Sequence, residues 1–202
     1  TTVFGVILDI VGGVPAAVTI TDIHVDYGTV HAVGDLSLEI PQSASVAVIG
    51  PNGSGKSTLL KVIAGILEPN SGSLSTHGAA TAIVLQSTDV DASVPITVRD
   101  VVAMSRYPSV GLFRRFGADD RTAVQSALER LDIADLADRQ IHHLSGGQRQ
   151  RAFVAQGLAQ EAPILLLDEP LTGLDVRSRS VIADVLQAEH SAGRSGIPTT
   201  HN

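Results

Sequence analysis

The sequence predicts an α/β protein: a parallel-sheet core, an N-terminal antiparallel β subdomain, and a helical subdomain inserted between core strands. Three observations carry that expectation. Ser45-Val46-Ala47-Val48-Ile49 and Ile164-Leu165-Leu166-Leu167 are short, uninterrupted apolar runs, as expected of strands buried on both faces. A glycine-rich turn joins the first run directly to a helical pattern. Between the runs, the stretch from about 95 to 155 reads mostly as helix.

Each element follows in order. Residues 1–17 are apolar but carry Asp9 and the Gly12-Gly13 pair, and no Lys or Arg precedes Lys56. Neither a secretory leader nor a membrane span fits, so they read as an unassigned extension or an extra edge strand. The domain proper is expected from residue 18 to 202. Val18, Ile20 and Ile23 precede a turn at Asp26-Tyr27-Gly28. Leu36, Leu38 and Ile40 alternate with Asp35, Ser37 and Glu39, a half-buried strand that Pro41 stops. After the glycine-rich turn, Leu59, Leu60, Val62, Ile63 and Ile66 give a helix that Pro69-Asn70-Ser71-Gly72 breaks. Two strand-like segments follow, ending in Ala82-Ile83-Val84-Leu85. Val98, Val101 and Val102 share a helix face, and 120–131 is a further helix with Arg121, Glu129 and Arg130 outside. Residues 131–138 suggest a short helix, and Asp168-Glu169 closes the second buried run. Gly196-Ile197-Pro198-Thr199-Thr200 reads as a poor buried strand, because Pro198 cannot donate to a ladder.

Composition excludes several classes. The chain has 202 residues and no cysteine, which removes disulfides, iron–sulfur clusters and thiol nucleophiles. A net charge of −7 and 3% aromatic residues argue against nucleic acid as a partner.

Chemistry concentrates in three motifs. Residues 50–58 read Gly50-Pro51-Asn52-Gly53-Ser54-Gly55-Lys56-Ser57-Thr58, which satisfies G-x-x-x-x-G-K-[ST]. Glycines let the backbone curl so that successive N–H groups face phosphate oxygens, and the next helix offers its positive end to the same anion. Lys56 can reach β- and γ-phosphates, and the Ser57 hydroxyl can coordinate Mg²⁺. The core is therefore expected to be that of a P-loop NTPase using ATP and Mg²⁺. Asp168, at a strand's carboxyl end, can hold Mg²⁺ through its water shell, and Glu169 can deprotonate an attacking water. Leu144-Ser145-Gly146-Gly147-Gln148 makes an anion-receptive helix start, which by itself also fits a simple N-cap with a flexible turn.

These three motifs in this order resemble an ATP-binding cassette (ABC) ATPase, from about residue 18 to the C-terminus. The resemblance implies that Tyr27 stacks on adenine and that Gln86 senses Mg²⁺ and touches a membrane partner. It implies a head-to-tail pair of cassettes in which Ser145, Gly146, Gly147 and Gln148 meet ATP held by the other P-loop. Thr172-Gly173-Leu174-Asp175 would communicate across that pair. His201 has the spacing of the family's switch histidine, but the weak strand before it and Asn202 in place of Asp depart from the pattern. The C-terminus is thus expected to be truncated. His142 and His143 are expected at a solvated helix-end edge.

The resemblance also implies transmembrane permease subunits, an extracytoplasmic solute-binding protein, and a location on the cytoplasmic face of the membrane. Ser105-Arg106-Tyr107-Pro108 and Gly111-Leu112-Phe113-Arg114-Arg115 resemble segments of bacterial manganese or zinc importers, and more distantly those for iron chelates or cobalamin. A non-transport cassette and a hydrolysis-deficient nucleotide module are the remaining alternatives. No residue of the chain is expected to bind the cargo, since there is no cysteine and His142-His143 lacks a spaced carboxylate cluster.

Overall fold

A computed structural model describes residues 5–8, 14–86, 91, 93–107 and 115–200, with residues 5–8 described by their backbone. These fall into two compact units, one from 1–85, 162–170 and 187–202, the other from 86–161 and 171–186.

The first unit contains two sheets. A five-stranded sheet runs β1 (Gly5–Leu8), β4 (Val46–Ile49), β8 (Ser195–Thr200), β7 (Ile164–Leu167) and β6 (Thr81–Val84) in spatial order. Only β1, the edge strand, pairs antiparallel; β4, β8, β7 and β6 are parallel. A second, antiparallel sheet has the order β3 (Val30–Pro41), β2 (Ala16–Tyr27) and β5 (Ser71–Ser75). All four residues of β7 are buried, as a continuous apolar run in a covered parallel strand requires. Helix α1 (Lys56–Ile63) buries Leu59, Leu60, Val62 and Ile63 in a core that also holds Ile20, Ile23, Ile40, Val48, Leu166 and Ile197. Each such side chain stabilises the fold by about 1.5–3 kcal/mol of transfer free energy.

Three expectations are corrected here. Helix α1 stops before Ile66, because Gly65 adopts φ +69° and turns the chain left-handed, leaving Ile66 exposed. The antiparallel sheet starts at Ala16, ahead of the boundary expected at residue 18. The segment 195–200 is a buried strand, not a poor one: β8 lies between β4 and β7, with Ser195, Ile197 and Thr199 buried. Alternate residues of a strand direct their backbone groups to opposite neighbours. Ser195 donates its N–H to Pro163 on the β7 side, whereas Gly196 donates to Ala44 on the β4 side. Pro198 shares the phase of Gly196, so its missing donor falls on the short β4 ladder and spares the β7 ladder.

The second unit is helical. It contains α2 (Val98–Met104), α3 (Ala118–Arg130), two 3₁₀ turns (Ala134–Leu136 and Ile141–His143) and α4 (Gly146–Ala159). Helix α5 (Val176–Ser191) begins in this unit and ends in the first. Thr97 and Asp100 close a capping box at the start of α2. Arg106 sits in a buried ion pair, with Nε 3.1 Å from Asp120 Oδ1 and Nη1 2.9 Å from the Ala159 carbonyl and 2.7 Å from Glu161 Oε2. Arg106 is therefore spent on internal packing. Tyr107 is exposed, and residues 108–114 lie outside the described residues. Among the described residues, no helix is long and apolar enough to cross a membrane.

Candidate functional site

Strand β4 delivers the chain to the loop at 50–55, and the loop's conformation demands glycine. Gly53 has φ +77° and Gly55 +93°, a region costly for other residues. A Cβ on Gly55 would lie 2.1 Å from the Ala32 carbonyl oxygen, so only glycine fits there. Asn52 and Gly53 are exposed on the loop, Ser57 and Thr58 are half-buried in the first turn of α1, and no side chain caps that helix start. The Ser54 hydroxyl is buried and has no hydrogen-bond partner.

Lys56 is 4% exposed, and its ammonium donates to the carbonyls of Gly50 at 2.7 Å and Pro51 at 3.0 Å. The same Nζ lies 3.8 Å from Glu169 Oε1. Asp168 and Glu169 follow β7 directly, with the Asp168 N–H donating to the Val84 carbonyl at 2.8 Å. Thr199, from β8, ties both acidic residues together. Its hydroxyl donates to Asp168 Oδ1 at 2.8 Å and accepts from the Glu169 N–H at 2.8 Å. Glu169 holds φ +51°, a strained value for a non-glycine residue that these contacts help maintain. Thr199 was missed from the sequence. Its signal was a hydroxyl in the buried phase of a strand.

The structure thus brings Lys56, Asp168 and Glu169 together in the first unit. Tyr27, at the end of β2, is 49% exposed. Gln86 and residues 145–148 belong to the second unit, and His201 lies outside the described residues.

Ser145 and Gly146 are exposed at the start of α4. Ser145 Oγ accepts from the Gln148 N–H at 3.3 Å, while Gln148 Oε1 accepts from the Ser145 N–H at 3.0 Å. The Gln148 side chain is therefore engaged in a capping box. Gly147 is buried, and a Cβ there would sit 2.4 Å from Asp175 Oδ2 and 2.5 Å from Ser178 Oγ. Close packing within this unit accounts for that glycine. Asp175 caps α5 by accepting from the Ser178 N–H at 2.9 Å. The backbone N–H and then the hydroxyl of Ser178 hold the Asp175 carboxyl below its usual range. His142 is half-buried with an unpartnered Nδ1, and His143 is exposed, a less solvated edge than expected.

The buried orphan hydroxyl of Ser54, the glycine-only loop, a buried lysine and a carboxylate pair at strand ends fit a magnesium nucleotide. Fold and donor set define the P-loop class of nucleotide-binding proteins. The sequence model of the ABC transporter family matches residues 33–172, and the chain belongs to that family. It is 38% identical over 193 residues to the chelated iron transport system membrane protein YfeB of Yersinia pestis, covering 91% of this chain and 65% of that one. It is 37% identical over 195 residues to the manganese transport system ATP-binding protein MntA of Synechocystis sp., covering 92% and 75%. The solved structure of an ABC transporter in an inward-facing conformation matches with a TM-score of 0.80 and 28% identity, covering 92% of this chain and 73% of that one.

Proposed function

We propose that this chain is the ATP-binding and ATP-hydrolysing subunit of a bacterial ABC importer for a divalent metal ion, manganese or zinc. One observation carries the hydrolytic reading: Lys56 and Glu169 lie buried 3.8 Å apart, with Asp168 next to Glu169 at the end of β7. Backbone N–H groups of residues 52–58 hold the phosphates, Lys56 neutralises the β- and γ-phosphates, and Tyr27 stacks on adenine. Ser57, Gln86 and Asp168 would hold Mg²⁺, which when bound neutralises charge on the phosphate oxygens. Glu169 accepts a proton from water as that water's oxygen bonds to the γ-phosphorus. The bond from the γ-phosphorus to its bridging oxygen breaks, leaving ADP and phosphate. His201 is assigned the role of switch residue in hydrolysis.

The exposed start of α4 supports a head-to-tail homodimer or cassette pair, in which residues 145–148 meet ATP bound to the other P-loop. Permease subunits anchor the pair to the cytoplasmic face of the membrane, and an extracytoplasmic solute-binding protein delivers the solute to them. The likeness to a manganese-system protein supports the solute class. A second reading, import of chelated iron, rests on the likeness to YfeB.

Disrupting the gene should lower cellular manganese or zinc under limitation, measured by elemental analysis. Normal metal content with failed siderophore uptake would select chelated iron instead. Normal content of all three metals would exclude both.

A further inference from the structure

In the same unit as the P-loop, the antiparallel sheet gathers two imidazoles and a carboxylate. His24 and Asp26 are two residues apart on β2, in phase with each other and out of phase with the buried Ile23 and Val25. Asp26 pairs directly with His31 on β3. His31 Nδ1 lies 2.6 Å from Asp26 Oδ1, and His24 Nε2 lies 3.3 Å from the same oxygen. The two rings meet edge-on at 5.5 Å, and the three donor atoms all lie within 4.8 Å of one another.

The backbone beneath this cluster is fixed. Register shifts interrupt the β2–β3 ladder on either side of Val25. Asn70 Oδ1 accepts from the Asp26 N–H at 2.7 Å, and the Asn70 N–H donates to the His24 carbonyl at 2.8 Å. The His24 ring lies against Gly34, where a Cβ would be 3.4 Å from Nδ1 and Cε1. Two of the three donors are therefore held by the hairpin, while the His31 side chain is 68% exposed and can turn.

We propose that His24, Asp26 and His31 form a binding site for one divalent first-row transition-metal ion of the zinc class, separate from the magnesium of the nucleotide. Bonds of about 2.1 Å in tetrahedral geometry place ligand atoms about 3.4 Å apart. The His24–Asp26 separation already matches, and rotation of His31 opens the shorter contact. Two imidazoles and one carboxylate, with the fourth position left to water, suit zinc or cobalt over magnesium or calcium. The expectation that no residue binds the transported cargo weighed only the missing cysteines and His142-His143, not this donor set. This proposal is independent of the transport reading.

The test uses the full chain without an affinity tag, stripped of metal and free of nucleotide. Zinc is titrated by calorimetry and cobalt by its visible absorption. One ion per chain should bind, with a tetrahedral cobalt spectrum. His24→Ala, Asp26→Asn and His31→Ala should each weaken zinc binding by about 100-fold, since even outer partners of a metal site are worth 10–100-fold. His143→Ala should leave it unchanged. Because His31 is exposed, His31→Ala keeps the metal-free melting temperature and separates lost binding from lost folding. Absence of saturable zinc binding, or affinity that survives His31→Ala in a folded protein, overturns the proposal.

Discussion

The two units present their candidate nucleotide-facing groups in opposite ways. In the first, Asp168 and Glu169 are buried at the end of β7 and Lys56 is buried at the start of α1, with Thr199 and the Gly50 and Pro51 carbonyls fixing their positions. In the second, Ser145 and Gly146 stand exposed on a helix start whose cap is closed by Gln148, while Gly147 is consumed by packing against Asp175 and Ser178. Strand-end groups are set by the register of a parallel sheet, so small packing changes reach them directly. A capped helix start is set locally and needs only its own first turn. The first arrangement is preorganised for phosphate and water; the second suits a surface that meets a ligand held elsewhere.

Four substitutions and one control sharpen that contrast, the four in falling order of effect. Asp120→Ala strips the buried partner from Arg106 in the second unit and should destabilise it by about 3–5 kcal/mol, read in thermal or urea unfolding. At temperatures where the variant is folded, its ATP affinity should stay within about twofold of wild type. A large loss of affinity in the folded variant would mean that the helical unit, too, organises the P-loop.

Lys56→Ala removes the loop's buried cation, and calorimetry should show ATP affinity weakened by at least about tenfold. Losing a desolvated charge-assisted contact typically costs about 2–5 kcal/mol. Gly55→Ala should cost about 2 kcal/mol or more, because the added Cβ meets the Ala32 carbonyl in a strained backbone region. Gly53→Ala is its control: φ is also positive but nothing lies within 4 Å, so about 1 kcal/mol of backbone strain is the expected cost. Equal effects at both positions would contradict the close approach of the loop to β3. Thr199→Val keeps the side-chain shape and deletes both hydroxyl contacts. Turnover should fall about tenfold with ATP affinity nearly unchanged, the mark of a residue that positions Glu169 without touching nucleotide.

The sequence made the parallel core legible because its strands are continuous apolar runs and its loop needs glycines at fixed spacing. The same physics hid β8. A proline and three hydroxyl residues in six positions disguise a strand whose buried phase runs Ser195, Ile197, Thr199. Only the pairing with β7 shows that Thr199 belongs to the site. The ion pair of Arg106 with Asp120 was equally opaque, since nothing local distinguishes a buried arginine from an exposed one. The cluster of His24, Asp26 and His31 needs the hairpin register, which places Asp26 opposite His31. Linear spacing shows only the adjacent His142 and His143, which lack a spaced carboxylate cluster.

The central claim is that the first unit hydrolyses ATP through Glu169. It is tested by measuring ATP binding and phosphate release on the same preparations of wild type and Glu169→Gln with Mg²⁺. The account predicts ATP affinity within about threefold of wild type and turnover lowered by about 10²–10⁴-fold, the usual worth of a general base. Phosphate release by Glu169→Gln at the wild-type rate would contradict it.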